Sequence, residues 1–426
     1  MNDASMNAAA PGRPKQGTAP AGLEPAAPSL LEQAGTGDRG EASREPRPAR
    51  PRAVQEVLSK SGAGTSVGAR RTALVMAGGT GGHIFPGLAV AQALRERGWR
   101  VHWLGGTGSA AQPSMESRLV PPHGFPLESI DFSGVRGKGF WTLFMLPWRL
   151  WRACWQSIQV LRRVKPDVVL GLGGFITFPA GMMSVLLGKP LVLHEQNAVA
   201  GLVNKVLALV ADRFFTAFPD VLKNGLWVGN PLRPAFIGGP DPTTRFAGRS
   251  GPLRVLVLGG SLGARALNDI VPRALALIPL NQRPLVIHQS GAQQIDALRA
   301  NYAAAGVLAQ LTPFIDDTAQ AFADADLVIC RAGASTVTEL AAVGAAALFV
   351  PFPFAVDDHQ TRNARFLVDQ GAGWLLPQHE LTPARLAGML QKTERPALLA
   401  CALQAKKLEK IDATAKLVAA CEELSP

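Results

Sequence analysis

Residues 72–86 read TALVMAGGTGGHIFP, and residues 254–268 read RVLVLGGSLGARALN. Each is a short apolar run, then a GG[ST]xG turn, then the opening of a helical pattern. Thr80 of the first stretch lines up with Ser261 of the second. A strand–glycine turn–helix unit that restarts halfway along a chain predicts two domains of the same build. The segments around each copy agree. After the first come GLAVAQALRERG (87–98) with helical spacing, RVHWLGG (100–106) as a strand, and further strands at 168–172 and 190–194, with a helix fitted over 198–211. After the second come PLVIHQSG, ADLVICRAG and AALFVPFP as strands with helical pieces between. Strands alternating with helices imply a parallel sheet with right-handed crossovers. The fold class is therefore α/β, with two doubly wound parallel-sheet domains joined by a Pro- and Gly-rich link at 231–252.

Composition sets the outer bounds. A chain of 426 residues with 47% apolar residues can fill two or three cores. The four cysteines (Cys154, Cys330, Cys401 and Cys421) show no paired spacing and read as reduced thiols. Residues 1–71 are rich in Ala, Pro, Gly and Arg and read as a disordered, solvated tail. Translation from an internal start at Val67 is the alternative. No continuous apolar run of a secretory signal opens the chain. Net charge is +11 and the pI about 10, which suits a polyanionic partner: nucleic acid, an anionic membrane or phosphorylated substrates. Residues 168–188 carry no charge, but their glycines and Pro179 favour strand, loop and buried helix over a membrane span.

Ligands of open parallel sheets bind outside the carboxyl ends of the strands. Three glycine turns fall at such ends: 78–82, 171–174 and 259–263. Backbone N–H groups there can face an anion, helped by the dipole of the following helix. None is a phosphate-binding GKS/GKT loop or a dinucleotide fingerprint, and tight turns for packing alone would also use glycine. His83 follows Gly82 at the start of a helix, where the neutral form is favoured. The pattern serves a capping or packing histidine equally well. HEQN (194–197) puts four polar residues at a strand end, a site or a structural turn. In RAGASTVTEL (331–340), Ser335, Thr336 and backbone N–H groups could hold a phosphate; Glu339, one turn in, could accept two ribose hydroxyls or close a capping box with Thr336. Gln360 and Asn363 share a helix face. DAD (324–326) lies at the amino end of a strand and reads as a solvated loop. No metal-ligand set is visible.

Residues 136–165 hold seven Arg or Lys and no acid. Trp141, Phe144, Trp148, Trp151 and Trp155 recur at helical spacing, and Pro147 is expected to divide the segment into two short pieces. With Arg149 and Arg152 beside them, the tryptophans suit an anionic membrane interface. A core stripe with snorkelling arginines is the bland alternative. No recognised nucleic-acid module accompanies the charge.

Taken in order from about residue 72 to the C-terminus, GGTGGHIFPGLAVA, SGVRGKG, KPDVVLGLGGFITFPAG, LHEQNAVAGLVNK, VGNPLR, GGSLGARALN, FIDD, RAGASTVTEL and DDHQTRNA resemble the MurG family of peptidoglycan glycosyltransferases, family 28. The resemblance implies a GT-B fold, two Rossmann-like domains facing a cleft: a first domain at 72–232, a donor domain at 233–405, and a C-terminal helix at 406–426 returning to the first. It implies inverting transfer of N-acetylglucosamine (GlcNAc) from UDP-GlcNAc to the C4 hydroxyl of the muramic acid of lipid I, giving lipid II and UDP. Donor contacts carried over by motif are Arg233, Ser261, the Ile315 backbone, Ala334, Ser335, Thr336, Val337, Thr338, Glu339 and Gln360. Thr80, Gly81, Gly82 and Asn197 would join them from the first domain. Gly79, Gly173 and Gly174 would face the acceptor diphosphate. His83 is the expected base, with Glu195 as rival or orienting partner. No cofactor is required, although a loosely bound Mg²⁺ is compatible. The lipid acceptor places the enzyme on the cytoplasmic face of the inner membrane, on anionic lipids, with other cell-wall synthesis proteins as candidate partners and no nucleic acid. Family members commonly carry glutamine where this chain has Leu262. Another GT-B transferase with a glycolipid acceptor, or a basic membrane- or nucleic-acid-binding scaffold, are the competing readings.

Overall fold

The computed structural model describes residues 70–108, 113–132, 144–260 and 263–425. The tail reading at 1–71, apart from Arg70 and Arg71, lies outside the described residues, as do Trp141, Ser261 and Leu262.

Two parallel sheets form. The first comprises β1 (Thr72–Met76), β2 (Arg100–Gly106), β3 (Leu127–Ile130), β4 (Val168–Gly171), β5 (Leu191–Glu195), β6 (Arg213–Thr216) and β7 (Leu226–Trp227), in the order β3-β2-β1-β4-β5-β6-β7. The second comprises β8 (Arg254–Leu258), β9 (Leu285–Gln289), β10 (Gln310–Thr312), β11 (Leu327–Cys330), β12 (Ala347–Phe349) and β13 (Gly373–Leu375), in the order β10-β9-β8-β11-β12-β13. Every pairing between these strands is parallel, with Leu74 opposite both His102 and Val169, and Val257 opposite both His288 and Ile329. In each sheet the strand order reverses beside its first strand, between β1 and β4 and between β8 and β11. These two switch points are where an open parallel sheet leaves a crevice.

Both faces of each sheet are covered, which is why the strands read as unbroken apolar runs. Ala73 and Val75 point to one side of β1, against α1 (Gly81–Glu96), where Ile84, Leu88, Ala91 and Leu94 are buried. Leu74 and Met76 point to the other, against Val160, Leu161 and Val164 of α3 (Leu146–Val164). A short helix α2 (Met115–Leu119) follows β2; α4 (Thr177–Leu186) and α5 (Leu202–Leu207) flank β5. In the second domain, α6 (Arg265–Ala276) follows β8, α7 (Ala334–Val343) follows β11, and α8 (His359–Val368) follows β12. The last helix, α9 (Ala413–Glu423), sends Leu417, Val418 and Cys421 into the core beneath α1 in the first domain. The four cysteines are free thiols, three of them buried.

Several expectations need correction. The helix fitted over 198–211 is only α5, because residues 196–201 are folded around the Glu195 carboxylate, which takes the Gly201 N–H at 3.0 Å. The chain breaks helix at Met145, just before Pro147, but the piece that follows is long rather than short, and residues 133–143 lie outside the described residues. Pro147 occupies the first turn of α3, where a missing N–H costs nothing, and the helix runs on for 19 residues. The 231–252 link is packed onto the second domain: Leu232 and Phe236 are buried, and Arg245 donates to the carbonyls of Ala323 and Val343 at 3.0 Å. The DAD loop is not simply solvated. Asp326 is buried and paired with Arg249 (2.7 Å) and Arg395 (3.0 Å), and it also accepts the Arg254 N–H. The two glycine motifs also diverge locally. In the first, the helix begins inside the motif at Gly81, whereas α6 begins only at Arg265, beyond the second.

Candidate functional site

The singled-out loops lie at the switch points. The 77–80 turn leaves β1 and the 171–174 turn leaves β4; Gly259 and Gly260 leave β8 and RAG leaves β11. Thr80 is the N-cap residue of α1, yet its side chain makes no capping bond. The N–H groups of Gly81 and Gly82 therefore have no partner among the described residues, and they stand where the helix dipole favours an anion. Gly79 differs from its neighbours. Its N–H bonds the Glu116 carboxylate at 3.3 Å, and the same carboxylate takes the Gly106 N–H at 2.8 Å. The Gly79 amide expected to meet the acceptor diphosphate is thus engaged within the fold. Glu116, on α2 and 3% exposed, is the buried carboxyl group that shapes this turn. A single Glu in MESRL gave no sign of that role.

Gly173 and Gly174 have φ of +106° and +95°. A Cβ on Gly173 would lie 2.8 Å from His83 Cε1, and one on Gly174 would lie 2.7 Å from the Gly78 carbonyl oxygen. The two turns of the first domain are therefore laid backbone to backbone, with the His83 ring against Gly173. His83 Nδ1 is 2.8 Å from Gln196 Oε1, and the Gln196 amide nitrogen is 3.0 Å from His194 Nδ1. Buried His194 reaches the Gly229 carbonyl through Nε2 at 2.9 Å. Burial pulls the His194 pKa down to about 4, with a smaller contribution from the neighbouring His83, so the ring is neutral near pH 7.

Glu195 is not brought to His83. Its two oxygens accept from the Asn197 N–H (2.9 Å), Asn197 Nδ2 (3.3 Å), the Gly201 N–H and Asn204 Nδ2 (2.8 Å). The carboxylate is a strut inside the 196–204 turn, and the residue beside His83 is Gln196, which sequence reasoning passed over. Asn197 carries the connection onward, because Asn363 of α8 accepts the Ala198 N–H at 2.8 Å and donates to Asn197 Oδ1 and the Ala332 carbonyl. This fully buried amide ties the turn after β5 to the turn after β11.

Across the cleft, α7 opens after Gly333 with no side-chain cap, so the N–H groups of Ala334, Ser335 and Thr336 have no partner among the described residues. The Ser335 hydroxyl is buried and also unpartnered there. The stretch expected as a small-residue turn is thus the first turn of a helix. Val337 and Thr338 face inward: Val337 is in the core, and the Thr338 hydroxyl donates to the Ala334 carbonyl at 3.1 Å. Glu339 closes no capping box with Thr336; it meets Arg233 at 3.2 Å. Burial pushes its carboxyl up to about 7, with Arg233 holding it partly down. The Arg233 guanidinium lies over Phe236 (4.7 Å) and reaches toward Phe85 of α1 (5.7 Å), so α1 and α7 approach each other here. Gln360 Oε1 accepts the N–H groups of Ala332 (3.3 Å) and Phe352 (2.9 Å), bracing the turn before α7. Ile315 sits half-buried after β10. Gln289 links its loop to the β8 turn through the carbonyls of Pro313 (3.0 Å) and Gly260 (3.2 Å).

Away from the cleft, Trp148, Trp151 and Trp155 stand on the outer face of α3, 61%, 58% and 52% exposed. They stack at 5.0 Å and 6.5 Å between ring centroids. Arg152 pairs with Asp131 at 3.3 Å. A core stripe would bury these rings. Among the described residues no helix is long and apolar enough to cross a membrane, and no three His, Cys, Asp or Glu side chains converge as a metal site.

Comparison with known proteins follows this architecture. The chain matches the glycosyltransferase family 28 N-terminal domain over residues 73–216 and the family 28 C-terminal domain over 254–418. It is 76% identical over 367 residues to a protein of Albidiferax ferrireducens, covering 86% of this chain and 95% of the relative. It is 78% identical over 361 residues to one of a Polaromonas species, covering 85% and 93%. Both relatives are named UDP-N-acetylglucosamine–N-acetylmuramyl-(pentapeptide) pyrophosphoryl-undecaprenol N-acetylglucosamine transferase. Among solved structures, Acinetobacter baumannii MurG superposes with a TM-score of 0.73 at 38% identity, covering 83% of this chain and 99% of that one. The glycosyltransferase of kitacinnamycin, at 16% identity and a TM-score of 0.61 over 84% of this chain and 100% of that one, shares the fold.

Proposed function

The chain belongs to glycosyltransferase family 28, and from that premise we propose that its cleft transfers GlcNAc from UDP-GlcNAc to the C4 hydroxyl of the muramic acid of lipid I. The products are lipid II and UDP, and the enzyme is a hexosyltransferase of peptidoglycan synthesis. The observation that carries the reading is the facing pair of uncapped helix N-termini, α1 at Gly81 and α7 at Ala334, one at each switch point.

The donor lies against the second domain. Its diphosphate meets the Ala334–Thr336 amides and the Ser335 hydroxyl, its ribose meets Glu339, and the Ile315 backbone meets the uracil. Arg233 holds the Glu339 carboxylate in place. The first-turn amides of α1 face the sugar and the acceptor diphosphate. The acceptor O4 attacks the anomeric carbon as the bond from that carbon to the diphosphate oxygen breaks; the bonding pair leaves with UDP, and the O4 proton passes to His83 Nε2. A single displacement inverts the anomeric centre. No resident cofactor is required in this scheme, since the charge developing on UDP rests on oriented N–H groups of a helix N-terminus. With a soluble lipid I analogue as acceptor, turnover is expected to be fastest with UDP-GlcNAc in a panel of nucleotide sugars. Faster turnover with another sugar would transfer the reading to a different GT-B activity.

Lipid I is a membrane molecule, and the α3 face supplies the docking surface, on the cytoplasmic leaflet. Each exposed indole offers on the order of 150 Å² of apolar surface, set among basic residues that anionic headgroups attract. The Trp148→Ala/Trp151→Ala variant is expected to partition onto anionic vesicles roughly tenfold or more weakly than the parent chain. Equal partitioning in a flotation assay would remove α3 from the docking surface.

A further inference from the structure

The hydrogen bonds behind His83 leave no freedom in where its proton sits. The Gly229 carbonyl can only accept, so His194 Nε2, 2.9 Å away, must carry the proton that joins them. Being neutral, His194 then presents a lone pair at Nδ1. Opposite that lone pair lies the Gln196 side-chain amide, whose nitrogen is 3.0 Å from His194 Nδ1 and 3.2 Å from the His194 carbonyl. Turning the amide over would set its oxygen against two acceptors, so the nitrogen must face His194 and the oxygen must face His83. Gln196 Oε1 is 2.8 Å from His83 Nδ1 and requires a donor there. The chain of donors and acceptors thus runs in one direction, from His83 to the Gly229 carbonyl.

We propose that Gln196 and His194 are positioning residues which, anchored on the Gly229 carbonyl, hold neutral His83 as its Nδ1–H tautomer and leave the lone pair on Nε2. This is the reverse of the tautomer that unconstrained histidine favours in water. Nε2 has no partner among the described residues, and the ring is held against Gly173. When Nε2 takes a proton, the bond from Nδ1–H to Gln196 needs no rearrangement, because both nitrogens of the imidazolium are donors. The deep burial that keeps His194 neutral keeps the chain one-directional. The other titratable groups near this turn are committed elsewhere: Glu116 to the Gly79 and Gly106 amides, and Glu195 to the 197–204 turn.

The inference deepens the reading of His83 as base and rests on it for its catalytic consequence, but its physical content is a tautomer and can be read without turnover. In the full chain labelled with ¹³C,¹⁵N-histidine, with the His83 signals assigned through His83→Gln, the ring shifts should report Nδ1–H in the parent. They should move toward the other tautomer in Gln196→Met. That variant keeps the side-chain length and removes both hydrogen bonds; its kcat is expected to fall roughly 10–100-fold, at or below the lower end of the span for outright loss of a general base, with KM for UDP-GlcNAc changed less than threefold. Gln196→Glu keeps an acceptor for Nδ1–H and adds a charge that favours the imidazolium. The acid limb of its kcat/KM profile should therefore move up by about one pH unit or more, a shift that a residue with a merely structural role would not produce. An Nε2–H tautomer at His83 in the parent chain overturns the proposal. So does a Gln196→Met variant with unchanged tautomer and rate, or an unmoved acid limb in Gln196→Glu. If His83→Ala turned over normally while the tautomer shifts behaved as expected, the assignment of the base would fail and the hydrogen-bond relay would stand.

Discussion

Replacing Glu339 by alanine is expected to raise KM for UDP-GlcNAc about 100-fold. A buried carboxylate accepting ribose hydroxyls makes charge-assisted hydrogen bonds worth about 1.5–3 kcal/mol each, and one such bond is a factor of roughly ten to a hundred in affinity. The loss also leaves Arg233 without the partner it meets at 3.2 Å. A pH signature distinguishes this role from simple bulk. Burial holds the Glu339 carboxyl at about 7 in the free protein, whereas the proposed contact with two ribose hydroxyls calls for the ionised form. Below pH 7 the site must give up a proton to bind, so donor affinity should fall up to tenfold per pH unit as pH drops. Glu339→Gln should flatten that dependence. The same upward shift means that the ligand-free fold loses stability as pH rises through about 7. Isothermal titration of UDP from pH 5.5 to 8 checks the donor effect, and a slope that persists in Glu339→Gln would assign it to another group.

His83→Ala should lower kcat for transfer by 10²–10⁴-fold, the span typical of a lost general base, with UDP affinity changed less than threefold. The two halves of that expectation come from different parts of the molecule. His83 stands on α1 in the first domain, against Gly173, and its hydrogen bond among the described residues goes to Gln196 of the same domain. Rapid-quench measurement of transfer beside titration of UDP separates them. A variant that lost both together would place His83 in donor binding instead.

The architecture was legible because it repeats. Two apolar runs ending in GG[ST]xG predicted two parallel sheets, and β1 and β8 do head them. The strands are buried on both faces, so a continuous run of Val, Leu and Ile carried the signal without any alternation. Pro147 marks a break at Met145, but it opens a helix of 19 residues where a short piece was expected, because a proline in a first turn leaves the rest of the helix free to run on. The 198–211 helix failed for a different reason: a carboxylate at the end of β5 draws the next residues around itself, and no local periodicity records that.

The site was legible in its parts and opaque in its connections. HEQN and RAG fall at strand ends, and His83 and Gln360 in the first turns of the helices that follow β1 and β12, on the side where such sheets bind ligands. What joins them is long-range. His83 and Gln196 are 113 residues apart, and Asn197 and Asn363 are 166 apart. Nothing in MESRL marks Glu116 as the hydrogen-bond acceptor beneath the first glycine turn. Spacing also could not separate Glu195 from Gln196, since adjacent strand-end residues face opposite ways, one into the 197–204 turn and the other to His83. Asp326 shows the converse: an acidic pair that resembles a surface loop holds a buried anion between two arginines.

The proposed reaction is a single displacement between two helix N-termini, with a base on the acceptor hydroxyl. It is tested most directly by the anomeric configuration and stoichiometry of the product formed from UDP-GlcNAc and a soluble lipid I analogue, read by NMR. The account predicts a β-linked GlcNAc on O4 of the muramic acid, from the α-linked donor, with one UDP released per disaccharide. An α-linked product, or UDP released at the same rate without acceptor, would contradict it.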